Sequence, residues 1–297
     1  VLTPALTFVA TANAVSHAGG IPHFVDSEER TLGLDPHKLA AYLLETAAVK
    51  SDGCYNKATG RRIKAAMPMH TFGHPVDLDP LIELCGRYKI VLVEDAAESL
   101  GSYYKGVHTG KFGLISALSF NGNKVVTTGG GGAILTDDEE LGRLAKHITT
   151  TAKLPHKWAF HHDMVAYNYR LPNINAALGC AQMEQLPGFI ARKRALAARY
   201  RQALAAVPGV SFFSEQPFAE SNYWLNALLL DEPDMAARDG LMAMCHEAGL
   251  MVRPAWTLMH RLPMYAACPR MDLSVDENIE ARLVNLPSSV FLSEQQA

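Results

Sequence analysis

The first half of the chain alternates short apolar runs with stretches of helical spacing. The runs of β type are AAMPMH at 65–70, IVLVED at 90–95, ISALSF at 115–120 and GAILT at 132–136. Between the first two runs, Leu78, Leu81, Ile82 and Cys85 recur at the spacing of one face of an amphipathic helix. This strand, helix, strand order predicts an α/β fold with a largely parallel sheet.

The second half contains a long helical stretch followed by a smaller unit. Residues 184–206 are rich in Ala, Arg and Leu and predict a connecting helix with Pro187 near its first turn. Beyond it, strand-type runs alternate with a helical stretch at 234–249. The pattern predicts a large domain over 1–183, the connecting helix over 184–206 and a small C-terminal α+β domain over 207–297.

Composition excludes several classes of protein. The chain has 297 residues, 48% of them hydrophobic, and a formal net charge of −3 with both signs scattered, so nothing favours a nucleic acid or an anionic membrane as partner. No apolar run has the length that a membrane helix needs. The five cysteines form no C-x-x-C pair, which argues against a disulfide framework or a zinc ribbon. We expect a cytoplasmic protein.

Lys124 stands between an apolar run and four consecutive glycines. A phosphate-binding loop would require G-x-x-x-x-G-K-[ST], but residues 119–126 read SFNGNKVV and lack both the first glycine and the final hydroxyl. A dinucleotide fingerprint would place its glycines before a helix, whereas here an apolar strand follows them. Alone, Lys124 is also compatible with an ordinary surface lysine beside a turn.

Asp95 ends the apolar strand predicted at 90–95, where α/β sheets place their ligands, although an acid there can also cap the next helix. Pyridoxal phosphate requires a lysine that forms a Schiff base and a carboxylate that keeps the pyridine nitrogen protonated. Lys124 and Asp95 supply this pair. The alanines after Asp95 leave room for a flat ring, and Ser119 can donate to the phosphate.

Six sequence blocks in one order carry a family resemblance. They are TFVATANAV (7–15), MPMHTFGHPVDLD (67–79), VEDAAESLGS (93–102), SFNGNKVVTTGGGG (119–132), YNYRLPNINAALG (167–179) and NLPSSV (285–290). With them the chain resembles the DegT-type nucleotide-sugar aminotransferases, which are fold-type I pyridoxal-phosphate enzymes. The resemblance implies a three-layer, mostly parallel α/β sheet in the large domain, a smaller C-terminal α+β domain, and amino transfer from glutamate to a nucleotide sugar.

The resemblance also implies roles for individual residues. Lys124 corresponds to the Schiff-base lysine and proton shuttle, Asp95 to the partner of the ring nitrogen and Ser119 to a phosphate ligand. Phe8 corresponds to the aromatic residue that stacks on the cofactor ring, although a plain core phenylalanine is the alternative. Glu98 corresponds to the position beside the cofactor's ring hydroxyl.

Four further residues are weaker candidates. Asn168 resembles the residue that reaches the phosphate from the other subunit, which implies a homodimer with shared sites. Arg170 is a candidate for the amino-donor carboxylate, with a surface ion pair as the alternative. Arg253 and His260, in the stretch 249–265, are candidates for contact with the sugar nucleotide or for packing in the small domain.

Two further features bear on the cofactor and on metal binding. The pattern includes a segment before Val1 with a Gly-Thr or Gly-Ser turn that holds the phosphate at a helix N-terminus, so we expect that an upstream segment has been lost. His70 and His74 have the spacing of a helical metal pair, but Gly73 and Pro75 disfavour a helix there. We therefore expect no metal.

The blocks look closest to the branch that aminates UDP-4-keto-6-deoxy-N-acetylglucosamine at C4 on the way to legionaminic acid. A pyridoxamine-dependent sugar dehydratase of the same family is an alternative, but such relatives replace the lysine that stands here at 124. A non-catalytic assembly subunit is a second alternative, and the set of Lys124, Asp95 and Ser119 argues against it.

Overall fold

The computed structural model describes residues 1–293. Its α-helices are α1 (Val9–His17), α2 (Pro36–Thr46), α3 (Leu78–Tyr88), α4 (Glu139–Thr149), α5 (Asn173–Leu204), α6 (Met235–Glu247) and α7 (Ser274–Arg282). Its strands are β1 (Leu2–Pro4), β2 (His23–Val25), β3 (Ala47–Lys50), β4 (Gly53–Asn56), β5 (Arg62–Ile63), β6 (Ala65–Ala66), β7 (Val91–Asp95), β8 (Tyr103–Tyr104), β9 (Val107–His108), β10 (Ile115–Ser119), β11 (Gly132–Leu135), β12 (Val210–Phe212), β13 (Ala219–Glu220), β14 (Asn226–Leu230), β15 (Arg253–Pro254) and β16 (Leu283–Leu286). None of these helices is long and apolar enough to cross a membrane.

A six-stranded sheet in the order β11-β10-β7-β6-β1-β2 forms the centre of the N-terminal part. All its neighbouring pairs are parallel except β10 and β11, which are antiparallel. The four runs predicted as strands at 65–70, 90–95, 115–120 and 132–136 all contribute to it. The carboxyl ends of β1, β7 and β10 therefore lie at one edge, where Asp95 ends β7 and Ser119 ends β10.

Helix α3 packs on this sheet through its apolar stripe. Leu78, Leu81, Leu84 and Cys85 are buried in one hydrophobic cluster with strand residues such as Leu92. Burial of such side chains stabilises the fold by about 1.5–3 kcal/mol each. Three of the four residues predicted on one face, Leu78, Leu81 and Cys85, are thus buried, whereas Ile82 is 38% exposed and Leu84 is buried in its place.

The C-terminal part is built on an antiparallel sheet in the order β12-β14-β16-β15, with α6 and α7 beside it. A second hydrophobic cluster joins it to the N-terminal part, because Leu6 and Phe72 pack there with Trp224 and Leu258. The predicted α/β class with a mostly parallel sheet and a smaller α+β part is confirmed. Residues 294–297, the end of the predicted range 207–297, lie outside the described residues.

The predicted start of the connecting helix is wrong. Helix α5 covers Asn173–Leu204, so Pro187 lies inside it and not in its first turn. The preceding Pro172 has extended backbone angles (φ −58°, ψ 148°), and the helix starts immediately after it. Proline favours a helix start, and Pro172 rather than Pro187 marks it here.

Candidate active site

The loop between β10 and β11 carries Lys124 at the edge formed by the strand ends. Its Nζ lies 3.3 Å from Oε1 of Glu98 and 3.8 Å from the ring centroid of Trp224. The Lys124 side chain is only 12% exposed. Lys124 is therefore largely buried between a carboxylate and an aromatic ring, unlike a lysine on an open surface.

Glu98 is buried beside this amine. Its Oε2 accepts a hydrogen bond from the backbone N–H of Phe72 at 2.9 Å. Burial raises the pKa of Glu98 to about 7, against the lowering effect of Lys124 and the Phe72 N–H, and the nearby charge of Asp95 adds to the rise. Glu98 can consequently gain or lose a proton near neutral pH, next to Lys124.

Asp95 is fixed through both carboxylate oxygens. Oδ1 accepts from the backbone N–H of Ala97 at 3.1 Å, and Oδ2 accepts from the hydroxyl of Thr11 at 2.6 Å. An ionised carboxylate can accept about four hydrogen bonds, so capacity remains for a further donor. The orientation of Asp95 is thus set before any ligand binds.

Phe8 stands at the start of α1, one turn before Thr11. Its side chain is 47% exposed, and the nearest aromatic ring, that of Trp256, has its centroid 6.1 Å away. This exposure disagrees with the alternative of a plain core phenylalanine. Phe8 offers an accessible flat apolar face close to the residues that fix Asp95.

Ser119 lies at the same sheet edge. In the register of β10 and β7, Ala117 is opposite Asp95, so Ser119 extends two positions beyond it. Its Oγ accepts from the backbone N–H of Asn121 at 3.3 Å. Because that bond uses a lone pair, the hydroxyl proton can still be donated to an anion.

The glycine run shapes the return from this loop into β11. Gly129 and Gly131 have φ of +79° and +95°, which other residues rarely adopt. A Cβ on Gly132 would lie 2.3 Å from the carbonyl oxygen of Leu118. The glycines are therefore required by the turn and by the close pairing of β10 with β11.

Asn168 and Arg170 lie elsewhere. Both line a cleft of about 900 Å³ along the glycine run, and the described residues that line it do not include Lys124 or Asp95. The Arg170 guanidinium donates to the carbonyl of Thr150 at 3.4 Å. Within one chain, these two residues are not gathered around Lys124.

Arg253 and His260 have partners within the C-terminal part. Arg253 Nη1 donates to the carbonyl oxygen of Val252 at 2.9 Å, and His260 Nε2 lies 3.3 Å from Oε1 of Glu277. The His260 contact corresponds to the packing alternative, whereas Arg253 is exposed and bonds the carbonyl of its chain neighbour, so both alternatives stay open for it.

His70 and His74 have structural surroundings. His70 Nδ1 accepts from the N–H of Val76 at 3.3 Å, so the ring proton is on Nε2 and is donated to Glu94 at 3.0 Å. The His74 ring is buried edge-on against Phe213. Residues 1–293 contain no cluster of side chains that could hold a metal ion.

Three residues near the site carry no signal in the sequence pattern. Thr11 orients Asp95, Trp224 lies against Lys124, and Asp276 in α7 accepts the backbone N–H groups of Ala5 and Leu6, both at 3.1 Å. Burial raises the pKa of Asp276 to about 8. Their sequence neighbourhoods read as ordinary helix or strand, and only the tertiary structure brings them to the site.

Known proteins resemble this chain in both sequence and structure. The family described as the DegT/DnrJ/EryC1/StrS aminotransferase family matches residues 1–297. EpsN of Bacillus subtilis (strain 168), classed by name among the pyridoxal phosphate-dependent aminotransferases, is 34% identical over all of this chain and 74% of its own length. A GDP-perosamine synthase of Escherichia coli O157:H7 is 34% identical over all of this chain and 75% of its own. A solved DegT DnrJ EryC1 StrS aminotransferase from Brucella abortus has a TM-score of 0.86 at 25% identity, over 99% of this chain and 75% of that one.

Proposed function

The chain belongs to the DegT/DnrJ/EryC1/StrS aminotransferase family, and from that premise we propose that it transfers an amino group from glutamate to C4 of a nucleotide-linked 4-keto-6-deoxy sugar. Sugar amination that depends on pyridoxal phosphate follows from the family and its relatives. The choice of glutamate, C4 and a particular sugar is the proposal.

The residues present fit the cofactor. Lys124 offers an amine, Asp95 retains capacity to accept a hydrogen bond, and Phe8 exposes a flat face beside them. When bound, pyridoxal phosphate supplies a cationic ring that takes up electrons from the substrate. Asp95 would face the ring nitrogen, Phe8 the ring and Ser119 the phosphate.

The observation that carries the proposal is the placement of Lys124 Nζ against Glu98, at the edge where Asp95 ends its strand. An amine in this position can remove a proton from the donor substrate and later deliver one to C4 of the sugar. Because the Lys124 side chain is 12% exposed and Glu98 is buried, that proton does not exchange freely with water. Glu98, ionising near neutral pH, can hold a proton beside Nζ.

We propose UDP-4-keto-6-deoxy-N-acetylglucosamine as the acceptor, in the branch that leads to legionaminic acid and related surface sugars. The resemblance of 54–75 and 119–132 supports this choice, whereas the GDP-perosamine synthases among the relatives act in another branch. The two branches differ in the nucleotide and in the C2 substituent of the sugar. An assay in which the UDP-linked and GDP-linked sugars compete as acceptors therefore tests both differences.

We further propose a homodimer in which Asn168 serves the partner's site. Large apolar side chains are exposed along the segment that contains it, among them Trp158 (78% exposed) and Ile174 (86%). Exposed apolar side chains concentrated in one segment are typical of a protein interface. We also propose a cytoplasmic location, because the five free cysteines favour a reducing compartment. With the helix start corrected, we propose a large domain that ends before α5 at Asn173, α5 as the connecting helix, and a small domain over 207–297.

The test measures 2-oxoglutarate release from glutamate with pyridoxal phosphate and either the UDP-linked or a GDP-linked 4-keto-6-deoxy sugar, with product analysis by NMR. We expect a C4-amino product from the UDP sugar, and no such product from the Lys124→Ala variant. Lys111→Ala, which changes an exposed lysine, is the matched control. Amination of the GDP sugar alone would contradict the UDP assignment, and release without Lys124 would contradict its role.

A further inference from the structure

The indole of Trp224 lies directly against the Lys124 amine. The two residues are a hundred positions apart in sequence, yet Nζ is 3.8 Å from the ring centroid. Trp224 is 6% exposed, so the contact is largely shielded from water. A cation over a tryptophan face is stabilised most strongly when it is desolvated.

All three polar atoms of Trp224 have partners, which fixes the ring. Its backbone N–H donates to Oδ1 of Asn222 at 2.8 Å, and its carbonyl oxygen accepts from Nζ of Lys193 at 3.2 Å. The indole Nε1–H donates to the carbonyl oxygen of Asn123 at 2.7 Å. Because Asn123 precedes Lys124, the last bond ties the ring to the loop that carries the amine.

The same segment also fixes Glu98. The Asn222 side-chain amide donates to the carbonyl oxygens of Glu98 at 2.8 Å and Leu100 at 2.9 Å. A Cβ on Gly73 would lie 1.9 Å from Asn222 Oδ1, so the amide fits only against glycine. One short segment therefore places both groups that contact Lys124 Nζ, the indole and the carboxylate.

We propose that Trp224 is a positioning residue whose indole face holds the Lys124 amine at Glu98 whenever that amine is free. Without the ring, Nζ loses a partner that stabilises its cationic form and limits its rotation. Amino transfer frees this amine for part of each cycle and then needs it at a defined point. This consequence for turnover rests on the proposed function, whereas the placement of Nζ can be measured without cofactor.

The test compares Trp224→Phe with Trp224→Met. Both variants lose the indole N–H and some volume, but only phenylalanine keeps an aromatic face. In the cofactor-free chain, acetylation of Lys124 by limiting acetic anhydride is measured by peptide mass spectrometry relative to the exposed Lys111. We expect it to be about fivefold faster in Trp224→Met than in Trp224→Phe, the size of a partly desolvated cation–π contact. Melting temperatures report whether both variants fold.

In turnover, we expect kcat to be about tenfold lower in Trp224→Met than in Trp224→Phe, with similar KM, since misplacement of a catalytic group lowers kcat. Equal acetylation of Lys124 in the two variants would overturn the proposal. A difference in acetylation with no amino transfer even in the unsubstituted enzyme would retain it and overturn the proposed function instead.

A second measurement applies if Trp224→Met does not fold. Lys124→Met removes the charge above the indole and Lys124→Arg keeps one, so tryptophan emission of the cofactor-free chain should shift in the first variant only. Identical emission from Lys124→Met and the unsubstituted chain would overturn the proposal.

Discussion

Thr11 and Asp95 are joined by a hydrogen bond of 2.6 Å from the Thr11 hydroxyl to Asp95 Oδ2. The Thr11 oxygen itself accepts from the hydroxyl of Thr7 at 3.0 Å, which leaves its own proton for Asp95. Phe8 lies between the two threonines at the start of α1. One helical turn thus fixes the carboxylate expected at the ring nitrogen and the aromatic face expected beside the ring.

Replacing Thr11 by valine keeps the shape of the side chain and removes the donor. We expect the free energy of unfolding to fall by about 1.5–3 kcal/mol, as for a hydrogen bond to a charged group. We also expect kcat/KM to fall about tenfold as Asp95 loses its orientation. Thr11→Ser, which retains the hydroxyl, should stay close to the unsubstituted enzyme in both urea unfolding and kinetics. Equal kinetics for the valine and serine variants would contradict an orienting role.

Glu98 should give the enzyme a transition near pH 7. Burial, opposed by Lys124, raises the pKa of Glu98 to about 7 in the folded chain, above its value of 4.5 in the unfolded chain. The folded chain then binds the proton more strongly between these values, so the Glu98 contribution to stability declines as the pH rises from 4.5 to 7.

Glu98→Gln removes the titration and keeps one of the two acceptor oxygens. We expect the inflection near pH 7 in kcat/KM to disappear, and unfolding free energies of this variant to lose the decline between about pH 4.5 and about pH 7. Glu83→Gln is the matched control, because Glu83 is an exposed partner of Arg87 on α3. An inflection retained in Glu98→Gln would assign it to another group.

Glu94 anchors the strand that ends at Asp95. Its carboxylate accepts from His70 and from the backbone N–H groups of Gly110, Phe112 and Gly113 at 2.7–3.0 Å. Burial raises the pKa of Glu94, but these donors outweigh it and lower the pKa to about 2.

Because this pKa is lower in the folded chain, the resulting stability is present above pH 4.5 and is lost as the pH falls towards 2. We expect Glu94→Gln to lower the unfolding free energy at neutral pH by about 3 kcal/mol, since one carboxylate oxygen becomes an amide that cannot accept these N–H groups. Acid titration of the variant should show a shallower loss of stability than that of the unsubstituted chain. A similar slope in both would place the acid-sensitive group elsewhere.

The strand ends at Asp95 and Ser119 could be predicted because apolar runs bounded by polar residues report local structure. The joint role of Asp95 and Lys124 towards a cofactor stays a prediction from chemistry; the structure shows that Asp95 ends β7 at the sheet edge from which the Lys124 loop leaves β10. Trp224 could not, because its apolar neighbours read as a core strand and its contact with Lys124 depends on packing between two parts of the fold. Pro187 misplaced the start of α5 because a proline can occur inside a long helix as well as at its first turn.

The proposed shared site predicts that two inactive variants restore activity when mixed. Lys124→Ala lacks the amine, and we expect Asn168→Ala to lose the phosphate contact proposed for it in the partner's site. If each site combines Lys124 of one subunit with Asn168 of the other, a mixed dimer has one site with both substitutions and one with neither. Random exchange should therefore restore about one quarter of full activity, since half of the dimers are mixed.

The matched control mixes Lys124→Ala with Asp95→Ala. Asp95 and Lys124 both lie at the edge of one sheet in one chain, so every site in that mixture lacks one of them and activity should stay absent. Asn168 lines the 900 Å³ cleft beside the glycine run, and Lys124 is not among the described residues that line it, which is compatible with Asn168 acting in the partner's site. Failure of the first mixture, with mixed dimers demonstrated by native mass spectrometry, would place Asn168 outside the partner's site.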